Sequence, residues 1–329
     1  MTDTNGYRVE VDWAPAFELV VSLAAYSQSR IHKALDLGPR WATRVRRLIG
    51  PELADRIKGL SDAGRPGESF LNPDLLVWKC PAARDVEGFL AWLGGLTAGE
   101  VYELVAPHLP EGSPALRDLG EAKDQTVRLL EAWNERYFRQ VDPALLERLA
   151  AEARTLGERP ARSASAADRS AFAVDLVEEM TGGVRFENAP ACRLVVLSPQ
   201  HHFSPLNCFG PYRDMVIISY PADVLAAPPG EPPAGLVRLA QAVGDPSRLR
   251  ILRFVSEGPE KSFTDIVRFS GLAKSTVHHH LLVLRSAGLL HVHTSLLMGP
   301  PGAGDRYSFR PTALDSLRQS LSEYLGGKR

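Results

Sequence analysis

The chain has 329 residues, 44% of them hydrophobic and 23% charged, a composition that fits two or three folded domains and excludes a disordered or fibrous chain. No apolar run approaches the roughly 18 residues a membrane helix needs, and the polar start Met1–Gly6 is unlike a signal or transit peptide. The net charge of −1 hides an asymmetry: residues 235–329 hold 13 Lys/Arg, 7 Asp/Glu and five His, leaving 25 basic and 32 acidic residues in 1–234. A basic C-terminal third on an acidic body suits a phosphate-facing module joined to something else. Cys80, Cys192 and Cys208 follow no C-x-x-C spacing, which points to a reducing cytoplasm and buried thiols.

Residues 8–13 alternate as a short strand, and Phe17, Val20, Val21, Ala24 and Ala25 recur at helical spacing behind Pro15. Further helical stretches are expected over 41–60, with Arg44, Arg46 and Arg47 outward, and over 85–109, 113–138 and 143–156. The five tryptophans (Trp13, Trp41, Trp78, Trp92 and Trp133) read as core filler between these helices. Residues 157–171 are small and polar, and helix resumes near 170–180. Residues 193–198 and 215–220 are near-continuous β-branched runs, as in strands buried on both faces, and 184–187 reads as a shorter strand. The proline-rich stretch after Tyr220 can continue neither helix nor sheet. The expected organisation is therefore an α+β N-terminal domain over 1–222, a linker over 223–234 and a basic C-terminal domain over 235–329, in a mainly helical chain with small sheets.

The C-terminal third carries the sharpest pattern. Asp245 and Pro246 are an N-cap and first-turn pair for a helix burying Leu249, Ile251, Leu252 and Val255. Ser262 caps a second helix with Asp265 in its first turn, and Gly271 makes a turn. A third helix, about 274–286, then buries Val277, Leu281 and Leu284. Lys274, Ser275, Thr276, His278 and His279 remain outward at its start, where a recognition helix meets base edges and phosphates. Residues 289–294 and 306–310 pair as a wing with a Gly/Pro-rich tip at 298–304, and Arg306 and Arg310 are expected to touch DNA.

The run from Asp245 to Leu252 together with Gly271–Leu289 resembles the ArsR/SmtB-type winged helix-turn-helix regulators, over about 90 residues. The resemblance implies a cytoplasmic homodimer reading an inverted repeat in double-stranded DNA, a repressor released by an inducer, and a dimerisation helix at 312–325. Two departures stand out. Phe263–Phe269 lacks the Cys-x-Cys of metal-sensing members and the last helix has no His, so metal sensing at the family's positions is not expected. Ala273 stands where the family carries a capping Ser. The opening of the chain and Leu194–Pro199 resemble an extended subgroup with a large N-terminal domain.

His278, His279 and His280 follow one another on a helix and point in different directions, which disfavours a shared ion; His280 is expected inward. His291 and His293 share a strand face, either against phosphate or in solvent. His201, His202 and Cys208 lie within eight residues and are candidates for a ligand-pocket loop, with an ordinary loop or a metal site as alternatives. No nucleophile elbow, P-loop, dinucleotide fingerprint or zincin motif occurs. The expectation is a non-enzymatic regulator without cofactor or metal, controlled by a small molecule through the N-terminal domain. The alternatives are a ligand-free interaction and dimerisation platform, or a degenerate enzyme fused to a DNA reader.

Overall fold

The computed structural model describes residues 7–62, 73–81, 83–111, 113, 116–159, 166–186, 192–222, 230–294 and 304–326. The chain divides into two units: a body of residues 9–160 and 191–224, and a C-terminal unit of residues 1–8, 161–190 and 225–329.

In the body, β1 (Arg8–Val11) leads into α1 (Pro15–Ser27), in which Pro15 takes the first helical turn and ten of thirteen residues are buried. Around it stand α2 (Gly38–Asp62), α3 (Pro73–Lys79), α4 (Val86–Gly95), α5 (Ala98–Val105), α6 (Leu119–Arg136) and α7 (Pro143–Gly157). α2 is broken at Gly50, whose φ of 78° starts a new turn before Pro51. The single helix expected over 85–109 is two. Thr97 and Glu100 form a reciprocal capping box that opens α5. Trp41 and Trp133 are buried in the helical core, while Trp13, Trp78 and Trp92 are half-buried.

The body's sheet has the order β1-β3-β5-β4, from β3 (Leu194–Gln200), β4 (Cys208–Pro211) and β5 (Met215–Pro221). β3 and β5 run parallel with Leu194 opposite Met215, and β4 is antiparallel to β5. All seven residues of β3 are buried: the apolar run Leu194–Leu197, as in a strand covered on both faces, and with it the polar Ser198 and Gln200.

The C-terminal unit contains α9 (Ala234–Val243), α10 (Pro246–Ser256), β6 (Lys261–Ser262), α11 (Phe263–Ser270), α12 (Lys274–Ser286), β7 (Leu290–Thr294), β8 (Arg306–Phe309) and α13 (Thr312–Leu325). Asp245 caps α10 by accepting from the Arg248 amide at 3.0 Å. Ser262 and Asp265 form a capping box on α11, and Gly271 at φ 67° ends it. The core joins Ile251, Leu252, Val255, Ile266, Val277, Leu281 and Leu284 to Leu290, Val292 and Tyr307 of the sheet. Leu249, expected on the buried face, is 49% exposed, because Ile251 occupies the inward position.

The domain boundary at 222 needs correction. α8 (Ala166–Thr181) and β2 (Val184–Phe186) belong to the C-terminal unit, and β2 pairs in parallel with β7 to give the sheet β2-β7-β8-β6. A local reading misses this because the pairing joins Val184 to Val292, far apart in sequence. Of the expected linker, 223–229 lies outside the described residues, as do 160–165 of the polar stretch and 295–303 at the wing tip.

Leu284 is fully buried where α12 meets the sheet. Leu284→Ala should cost the full chain about 2–5 kcal/mol of C-terminal-unit stability, read as a lower urea midpoint at unchanged slope.

Candidate nucleic-acid interface

The helix-turn-helix is α11, the Gly271 turn and α12. Burial of Val277, Leu281 and Leu284 fixes the rotation of α12, which leaves Lys274, Ser275, Thr276, His278 and His279 exposed together on its first two turns. Ala273 provides no side-chain cap, so the first-turn amides of α12 remain open to a phosphate oxygen. His278 lies edge-on to Phe263 with ring centroids 6.4 Å apart, which ties this side chain to the start of α11. His280 points inward at 8% exposure; burial pushes its imidazole below the ordinary range, against the opposing pull of Asp245.

The two wing arginines part company. Arg306 is exposed on β8 and donates to the Glu260 carbonyl at 3.3 Å. Arg310, expected on DNA, turns inward instead. Its side chain is 16% exposed, its Nε lies 3.4 Å from Glu178 Oε1, and its Nη1 donates to the Gly288 carbonyl at 3.3 Å. The competing partner is a carboxylate on α8. His291 Nε2 meets the same Glu178 oxygen at 2.8 Å, and His293 Nε2 lies 2.8 Å from Ser308 Oγ. Neither histidine forms a solvated wing face.

Sequence reasoning also passed over a shallow groove of about 470 Å³ bounded by α10, β6, α11 and β8. Phe254 and Phe269 stack in it with centroids 4.0 Å apart and planes 4° apart, and Lys261 Nζ lies 5.1 Å above the Phe254 ring. Arg268 and Arg306 line its rim together with Glu260 and Asp265, so the rim mixes both charges. The residues come from four elements, so no single periodicity signals it.

In the body, His201, His202 and Cys208 do not form one site. His202 is buried, and its Nδ1 lies 2.6 Å from Oε1 of Glu18 on α1. The backbone amides of His201 and His202 donate to the same carboxylate at 3.1 and 2.9 Å. His202 Nε2 meets Tyr137 Oη at 2.8 Å, which in turn accepts from Trp41 Nε1 at 2.8 Å. Cys208 sits on β4 near Asp74 instead, and burial pushes its thiol up to about 12. Among the described residues no group of three or more His, Cys, Asp or Glu side chains could hold a metal ion. Glu18 itself is wholly buried. Burial alone would raise its carboxyl, but the His202 hydrogen bond and charge outweigh this and leave it below the ordinary range.

Residues 245–292, spanning α10 to the middle of β7, match the family model described as bacterial regulatory protein, arsR family. Comparison with curated proteins and with solved structures gives no match. The C-terminal unit thus carries an ArsR-type helix-turn-helix, the DNA-binding module of a transcription regulator. Among the described residues no helix is long and apolar enough to cross a membrane.

Glu18 and His201 both titrate below their ordinary values in the folded body. A depressed folded value means stability that is complete above the unfolded value and lost as pH falls through the folded one. The body should therefore lose stability on acidification below about pH 6.5, the unperturbed histidine value. Glu18→Gln, which removes the carboxylate that accepts from the His201–His202 turn, should cost about 1–3 kcal/mol at pH 7 and abolish the loss below about pH 4.5, while the limb near pH 6.5 stays or steepens because Glu18 is what raises His201. Urea midpoints across pH 2–8 check both; a limb near pH 6.5 that disappears in Glu18→Gln, or a loss below pH 4.5 that persists in it, contradicts the assignment.

Proposed function

Because residues 245–292 form an ArsR-type helix-turn-helix, we infer that this chain is a dimeric repressor that reads an inverted repeat and is released by a small molecule acting through the body. The observation that carries the reading is the exposed polar start of α12, where Lys274, Ser275, Thr276, His278 and His279 share one accessible surface. A helix presenting such side chains in a major groove places donors and acceptors against base edges, while Lys274 and Arg306 face phosphates. A protein that acts on chromosomal DNA in this way would work in the cytoplasm.

Dimerisation is assigned to α13. Leu314, Leu321 and Leu325, at i, i+7 and i+11, are 48%, 42% and 74% exposed and fall within about 40° of arc on one face. Tyr324 extends the stripe. A second copy of this chain would bury it, and the two recognition helices would then meet two half-sites of a palindrome.

The body is read as a sensor, not an enzyme. Its concentration of titratable side chains, Glu18, His202 and Tyr137, is closed inside the fold at 0%, 3% and 7% exposure and coupled to an aromatic core. A non-metal effector fits α11 and α13, which offer no Cys or His ligands.

Selection of duplexes from genomic DNA with the full chain should recover an inverted repeat. Its affinity should fall steeply between 50 and 200 mM salt (about tenfold or more); a salt-independent affinity contradicts the reading. Thr276→Ala or His278→Ala should reduce discrimination against single-base changes by about 1–3 kcal/mol while leaving random-sequence affinity nearly unchanged. Leu321→Glu with Leu325→Glu should yield a monomer by sedimentation. Stoichiometric zinc or arsenite should leave the complex intact in a gel-shift titration.

A further inference from the structure

The C-terminal end of the recognition helix is held by a segment outside the matched region. α8 and β2 meet the α12–β7 corner through backbone, glycine and charge contacts. The Val292 amide donates to the Gly183 carbonyl at 2.8 Å, which starts the parallel β2–β7 ladder. Gly183 has φ 120°, and a Cβ there would collide with the Leu290 carbonyl oxygen. A Cβ on Gly182, at φ 69°, would stand 3.8 Å from Cα of Gly288, the turn residue after α12. Gly183 thus permits a backbone approach that a Cβ would block, while Gly182 meets only ordinary contact there and is favoured by its left-handed φ.

Glu178 secures the same corner. Its Oε1 accepts from His291 Nε2 of β7 at 2.8 Å and lies 3.4 Å from Arg310 Nε, just beyond β8; its Oε2 accepts from Arg185 Nε of β2 at 2.5 Å. Arg310 passes the tie on to the Gly288 carbonyl. One carboxylate, 11% exposed, thus joins three strands' ends and the turn leaving α12. His293 and Ser308 pair behind it on β7 and β8. Burial would raise the Glu178 carboxyl, but Arg185 and His291 outweigh this and hold it below the ordinary range.

We propose that Glu178, carried by α8 and bonded to Arg185 of β2, is a positioning residue for DNA binding: it fixes the angle between recognition helix α12 and the wing without touching DNA. The proposal rests on the DNA-binding reading and adds where control enters it. On both sides the α8–β2 segment continues into the body, through residues 9–160 before it and 191–224 after it. A conformational change in the body therefore has a covalent route to the corner that sets α12 against the wing.

The test compares the full-length wild type with Glu178→Gln, Glu178→Asp and Arg310→Lys on a duplex recovered by selection, at fixed salt. Simple electrostatics predicts that neutralising an acid near a DNA-binding surface tightens binding to phosphate. The positioning role predicts the reverse: Glu178→Gln weakens binding at least tenfold, and Glu178→Asp restores most of it. Arg310→Lys, which keeps the charge but loses the planar fork, weakens binding as well, and covers the case in which Glu178→Gln fails to fold. By NMR, the His291 ring should titrate lower in Glu178→Gln, because the anion that favours its charged form is gone. Wild-type affinity in the Gln and Lys variants, with the His291 shift present, overturns the positioning role alone. A wild type that binds no selected duplex while the His291 shift is seen overturns the DNA-binding reading beneath it.

Discussion

The outer edge of β7 is the constraint on which the C-terminal unit depends. A wing strand open on one side presents unpaired amides and carbonyls, an invitation to wrong pairing or aggregation. Here β2 fills that edge in parallel register, with Val184, Arg185 and Phe186 opposite Val292, His293 and Thr294. Parallel neighbours need a long crossover, and this chain supplies one in an extreme form, because part of the body is encoded between β2 and β7. The DNA-binding unit is consequently discontinuous. Cutting the chain at the proline-rich stretch after Ala222 would expose the β7 edge and remove the partner of Arg310 and His291 together.

That constraint also marks the limit of what the sequence discloses. The helices of the reader were legible because each carries its own punctuation: Asp245 before Pro246, Ser262 with Asp265, Gly271 after Ser270. The outward set on α12 was legible because Val277, Leu281 and Leu284 leave it one orientation only. β2 was legible as a strand but not as part of the wing, since three residues contain no information about a partner more than 100 positions away. The error over Arg310 follows directly. An arginine at the end of a wing strand is a natural phosphate ligand until a buried carboxylate competes for it, and Glu178 sits on a helix assigned to the other domain.

The body shows the same limit from a different side. α1 was recognisable from Phe17, Val20 and Val21, but an amphipathic reading sets Glu18 and Ser22 in solvent. The structure buries both. Glu18 receives the amides and imidazole of the His201–His202 turn, and Ser22 accepts from the Trp133 indole at 2.9 Å. A helix surrounded by protein has no outer face, and its polar residues then become anchors whose partners must be satisfied. The His201–His202 pair looked like the ligating part of a loop because histidines without visible partners suggest ligands. Its partner was present all along, 183 and 184 residues earlier.

Two buried carboxylates thus perform parallel tasks at different scales. Glu18 ties the central helix of the body to the end of β3, and Glu178 ties α8 to the wing. Between β2 and β3 lie only seven residues, so the strand completing the wing and the strand centring the body's sheet are close neighbours in the chain. β3 ends at Gln200, one residue before the turn that Glu18 grips; β2 begins at Val184, two residues after Gly182 approaches Gly288. β2 cannot move without disturbing its ladder to β7, so the stretch of chain that precedes the body's central strand is committed to the DNA-binding unit.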